Sequence, residues 1–149
     1  MHLPHAVPHV LRNAIAGLLV LAGLVVLAMS VQPPPAAADS EGCTYTNFPN
    51  KYVCFRIHGR GTHVDKFVVA RGKLDRGDNG ICNYEGRVSV KAPNGETWNY
   101  TSDHRAGCQT GRATRTIKVN RDYPHGSRAC GEFWENGQLQ DRACNKIER

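Results

Sequence analysis

"RVSVKAPNGETWNYTSD", residues 87–103, reads as two extended runs joined by a turn. Val88, Val90 and Ala92 recur every second residue, and Trp98 and Tyr100 repeat that period after the break. A period of two is the signature of a strand with one face packed and one face wet. Pro93 has its φ preset for the first central position of a type I turn, and Asn94 suits the second. Gly95 can then take the left-handed conformation of a bulge that closes a three-residue loop. This loop sets Ala92 opposite Glu96, Val90 opposite Trp98 and Val88 opposite Tyr100. Aromatic rings then face β-branched side chains, a favourable cross-strand pairing. A two-residue Asn94-Gly95 turn would instead place Asn99 opposite Val90, so the bulged register is expected.

The same period recurs along the chain in short runs broken by glycine. "YVCFRIHG" (52–59), "HVDKFVVARGKL" (63–74), "RATRTIKVN" (112–120), "SRACGEFW" (127–134) and "QLQDRAC" (138–144) join the two runs above to give seven candidate strands. No stretch of ten or more residues after residue 38 shows helical spacing with caps. The expected fold is all-β: a single antiparallel sandwich of immunoglobulin-like architecture with about seven strands. The Cys–Trp–Cys spacing of true immunoglobulin domains is absent.

All six cysteines, Cys43, Cys54, Cys82, Cys108, Cys130 and Cys144, lie in this β part. An even count in a small exported chain reads as a disulfide framework. No C-x-x-C pair occurs, which argues against a zinc knuckle or thioredoxin-like site. Nearest-neighbour pairing gives Cys43–Cys54, Cys82–Cys108 and Cys130–Cys144. The last pair flanks the Asn136-Gly137 turn. A plain two-residue turn would oppose Cys130 to Ala143, so the bridge requires a bulge or a longer loop.

Residues 1–38 are a different kind of sequence. Arg12 is their only Lys or Arg, they hold no acid, and "AIAGLLVLAGLVVLAM" from Ala14 to Met29 is unbroken apolar chain. Pro33-Pro34-Pro35 stops any helix, and Ala36-Ala37-Ala38 supplies small side chains for a peptidase pocket. This is the layout of a secretory signal peptide cleaved after Ala38, which makes residues 39–149 a secreted β-domain. The alternative is an uncleaved membrane anchor around residues 14–31, with the domain outside the cytoplasm. Membrane contact is expected only through the leader, if it is uncleaved.

Residues 39–149 carry 18 basic and 13 acidic side chains, a formal charge of +5. Arg112, Arg115, Lys118 and Arg121 recur every third residue, but in a strand they divide two and two between faces, so no specific nucleic-acid stripe is expected. The excess reads as spread singly over the surface, where it supports loose attraction to an anionic cell-wall polymer.

Individual motifs are weak. Arg76-Gly77-Asp78 lies in a Gly/Asp/Asn stretch that a turn requires in any case. Asp75, Asp78 and Asn79 lack the spacing of a calcium loop. His58 and His63 near Cys54 suggest a metal only if Cys54 is reduced. Ser102-Asp103-His104 are adjacent in extended chain and point to alternate faces, unlike a triad. Glu85, His104 and His125 with arginines are the acid–base groups a ribonuclease would need. Trp98, Tyr100 and Trp134 are the candidate binding residues, as possible exposed aromatic platforms, with Trp134 beside its turn the best placed. No catalytic residue, metal or cofactor is assigned.

"YVCFRIHGRGTHV", "GSRAC" before the last hairpin and "ACNKI" near the end resemble small secreted actinobacterial proteins of unassigned function. The likeness rests on strand, glycine and cysteine spacing over residues 43–147. It implies an exported β-domain and no activity. The sequence therefore points to a secreted, non-catalytic extracellular or cell-surface binding protein, whose partner is an anionic wall polymer or an extracellular protein. A small secreted hydrolase such as a ribonuclease is the alternative.

Overall fold

The computed structural model describes residues 39–45, 51–73 and 80–149. The leader, the Arg76-Gly77-Asp78 turn and the calcium reading of Asp75, Asp78 and Asn79 lie outside the described residues.

The described residues form nine strands and no helix: β1 (Ser40–Tyr45), β2 (Lys51–Arg60), β3 (His63–Lys73), β4 (Ile81–Lys91), β5 (Thr97–Thr101), β6 (Arg105–Gln109), β7 (Arg112–Asp122), β8 (Ser127–Glu135) and β9 (Gln138–Ile147). All-β architecture holds, but seven strands was an undercount. The two extra ones, β1 and β6, lack a local signal. Every residue of β6 is exposed, so it has no apolar alternation to read. It is a strand because it pairs with β4 and is tied there by Cys82–Cys108. β1 turns only Ser40, Gly42 and Thr44 towards the interior and is held by β2.

Two antiparallel sheets result, one ordered β1-β2-β3-β7 and the other β5-β4-β8-β9, with β6 continuing beyond β5 along the same edge of β4. Their facing sides bury Val53, Phe55, Ile57, Phe67 and Val69 from the first sheet and Val88, Val90, Ala129 and Phe133 from the second. Burying such side chains stabilises by roughly 1.5–3 kcal/mol each. Phe55 and Phe67 stack at 5.6 Å, and Tyr84 and Phe133 at 5.4 Å. Gly131 is required by this packing: a Cβ there would lie 2.2 Å from Phe55 Cδ2.

The opening hairpin takes the bulged register. Val90 pairs with Trp98 and Val88 with Tyr100, the Ala92 amide donates to the Glu96 carbonyl at 2.8 Å, and Gly95 sits at φ 89°. In the last hairpin Glu135 opposes Gln138 across the tight turn, then the register slips by one between Phe133 and Trp134. That bulge brings Cys130 opposite Cys144.

The three bridges are Cys43–Cys54, Cys82–Cys108 and Cys130–Cys144, each between directly opposed residues of neighbouring strands with Cα atoms 4.0 Å apart. All three therefore staple strands within a sheet. A buried ion pair joins the sheets instead. The Arg71 guanidinium on β3 meets the Glu135 carboxylate on β8, with side chains 4% and 11% exposed. The other Glu135 oxygen accepts from the Cys82 amide at 2.9 Å. Burial lowers the Arg71 pKa from its ordinary value.

Candidate binding face

The outer side of the β4/β8/β9 sheet carries most of the residues that chemistry singles out. Strand alternation sends Glu85, Arg87, Ser89 and Lys91 of β4 outward, and cross-strand pairing aligns them with Trp134, Glu132, Cys130 and Arg128 of β8. On β9, Arg142, Cys144 and Lys146 continue three of these rows. The face is thus a grid whose rows run across the strands.

At one end the grid is a chain of internal pairs. Arg87 donates through Nε to Glu85 Oε1 at 2.8 Å and lies flat over Trp134, its Cζ 4.0 Å from the ring centroid. Trp134 Nε1 donates to Glu132 Oε2 at 3.0 Å, and Arg142 Nε donates to the other Glu132 oxygen at 2.9 Å. His104 Nδ1 approaches Glu85 Oε2 at 3.9 Å, beyond hydrogen-bond reach. Of the three aromatic candidates, then, Trp134 does reach the outer face, but an arginine already caps its ring.

Trp98 and Tyr100 go the other way. Both lie on the inward side of β5 and pack against the core. Trp98 meets Tyr123 edge-on at 5.3 Å and lies under Arg121, and the Tyr123 hydroxyl donates to that of Tyr100 at 2.8 Å. Their β-branched partners Val88 and Val90 are core-facing, and residues directly opposed across strands share a face. The sequence register alone therefore places these two rings inside. Burial, together with the Tyr100 bond, raises the Tyr123 phenol above its ordinary pKa.

The acid–base groups of the hydrolase reading are only partly assembled. Glu85, Arg87 and His104 gather on the open sheet face. His125 lies before β8, where its Nδ1 accepts from the Arg149 amide at 3.2 Å. Ser102 accepts from Arg115 Nε at 3.3 Å and from the Gly86 amide at 2.9 Å, apart from His104.

His58 pairs with Asp39 at 3.3 Å, and Cys54 is oxidised. His63 binds Asp122 through Nδ1 and Asn120 through Nε2, both at 3.1 Å. The Asn120 bond and then the Asp122 bond raise its pKa. Among the described residues, Glu41, Cys43 and Cys54 come close enough to share a cation, but both sulfurs are spent in the bridge.

Two shallow hollows lie elsewhere. One of about 260 Å³ is lined by Asp39, Ser40, Glu41, Arg56 and His58, whose charges pair with each other. The other, about 440 Å³, is formed by Tyr84 and residues 105–110 along β6.

Two aromatic residues escaped the sequence reading. Tyr45 is 70% exposed, and Tyr52 lies flat across Gly72 of β3, where a Cβ would come within 2.3 Å of its ring. The alternation of "KYVCF" places Tyr52 on the face opposite Val53 and Phe55, a signal that was available.

The basic residues of β7 divide as expected. Lys118 opposes Lys66 on the outer side, while Arg115 reaches the Asp103 carbonyl and Arg121 lies over Trp98. The charge excess as a whole is not spread singly, however. Lys91, Arg128 and Lys146 stand directly opposite one another on β4, β8 and β9, all exposed. Pairing across strands made this row, and no linear spacing foretells it. No protein-family model matches the chain, and no curated protein or solved structure is significantly similar to it.

Proposed function

We propose that this chain is an exported, disulfide-stabilised binding domain that works without catalysis at or outside the cell surface. The observation that carries the reading is the state of the outer sheet face. Its carboxylates, Glu85 and Glu132, are each held by an arginine. Their side chains are 21% and 15% exposed and taken up by these partners, whereas general acid–base work needs a group poised at a reacting bond. Three cystines suit an oxidising compartment, in keeping with a signal-type leader. The strand order also suits the immunoglobulin-like reading, with β3–β7 in one sheet and β5-β4-β8-β9 in the other matching a B–E pair facing C′-C-F-G.

A second reading, a small secreted hydrolase, draws on the meeting of Glu85, Arg87 and His104. One experiment separates the two. The full chain is produced in an exporting host and tested for retention on envelope fractions and for cleavage of RNA. The expected product is a chain lacking the first 38 residues with no alkylatable thiol, retained by envelope and inert towards RNA. RNA cleavage that disappears in Glu85→Gln or His104→Ala would overturn the binding reading.

A further inference from the structure

Lys91, Arg128 and Lys146 form an unbroken cationic row across three adjacent strands. Among the described residues, none of their side chains makes an ion pair or hydrogen bond. Like charges directly opposed across strands destabilise a sheet. The fold therefore bears a cost here that it avoids two rows along the same face, where Arg87 and Arg142 each have a glutamate. Between the two charged rows lies a neutral one of Asn99, Ser89 and the Cys130–Cys144 bridge. It is a low floor of amide, hydroxyl and sulfur, with the cations along one side.

We infer that this row binds an anionic glycan lying across the strands over the neutral floor, an inference that rests on the binding-domain reading above and names its ligand class. Neighbouring strands are about 4.8 Å apart. That spacing is close to the repeat of one sugar residue in an extended chain. A glycan with one carboxylate per residue brings negative charge along the row at a density that the long, flexible side chains of Lys91, Arg128 and Lys146 can pair with, while Ser89 and Asn99 offer hydrogen bonds to ring hydroxyls. The favoured ligand is a sugar polymer and not a nucleic acid. Among the described residues, the face has no free aromatic ring for bases to stack on, since Arg87 already covers Trp134.

The test uses the oxidised chain as exported and polygalacturonate as the probe, with neutral dextran and single-stranded DNA as comparison ligands. Polygalacturonate should bind and dextran should not. Affinity should fall about twentyfold between 50 and 200 mM salt, as expected if roughly three cations displace counterions. The triple variant Lys91→Gln/Arg128→Gln/Lys146→Gln should lose at least about tenfold in affinity and flatten the salt dependence. A charge-matched control, Arg60→Gln/Arg105→Gln/Lys118→Gln, removes three exposed cations from separate places and should change affinity less than about threefold. Circular dichroism of both variants checks that they fold.

Equal losses in the two variants would overturn the proposal, because net charge alone would then account for binding. So would tighter binding of DNA than of polygalacturonate. Retention on envelope fractions that survives in the row variant would remove the anionic glycan and leave the binding-domain reading standing. Absence of any retention by the wild-type chain would remove both.

Discussion

Removing one partner of the Arg71–Glu135 pair is the sharpest test of how the two sheets are joined. Both side chains are almost fully enclosed, at 4% and 11% exposure, so each charge depends on the other and on the Cys82 amide for solvation. A solvent-exposed pair contributes at most about 1 kcal/mol. Breaking a buried pair leaves an uncompensated charge and costs about 3–5 kcal/mol. We therefore expect Arg71→Met and Glu135→Gln each to destabilise the oxidised domain by about 3–5 kcal/mol in urea unfolding. The double variant Arg71→Met/Glu135→Gln should recover most of that loss, because Gln keeps an acceptor for the Cys82 amide and no buried charge remains. Single-variant losses below about 1 kcal/mol, or strictly additive losses in the double, would refute the reasoning and make the pair a surface-like contact.

Two further outcomes follow from local geometry. Gly131→Ala should destabilise by about 1–3 kcal/mol through overpacking, because the new Cβ meets the enclosed Phe55 ring at 2.2 Å; unchanged unfolding would show that Phe55 has room to move. His63 should titrate by NMR above the ordinary value of about 6.5, and lose that elevation in Asn120→Ala/Asp122→Ala. Because its folded pKa is raised, its contribution to stability is fully present below the unfolded value and is lost as pH rises through the folded one. The advantage of wild type over His63→Gln should accordingly fade on the alkaline side of pH 6.5, and a His63 pKa at or below the ordinary value would contradict the contacts to Asn120 and Asp122.

The sequence by itself determined what depends on neighbouring residues in the chain. Alternation in "RVSVKA" and "YVCFRIHG" specified strands and their buried sides, since side chains of an extended chain must point to opposite faces. Pro93, Asn94 and Gly95 specified their own turn and, with it, the register that pairs Val90 with Trp98. Six cysteines among short strands implied a bridged framework, and the misfit of Cys130 against Ala143 required a bulge or a longer loop, of which the fold uses the bulge.

Tertiary structure decided everything that depends on which strand lies beside which. β1 and β6 became strands only through their partners, because neither has an apolar period of its own. Trp98 and Tyr100 face inward by register, but the rings they meet there, Tyr123 and Phe67, come from across the sandwich. Arg71 and Glu135, 64 residues apart, were buried together. Lys91, Arg128 and Lys146 look like isolated charges along the chain, and strand pairing alone brings them into one row. Local periodicity fixes a side chain's face, whereas its neighbours on that face come from pairing between distant segments, which no short window of sequence contains.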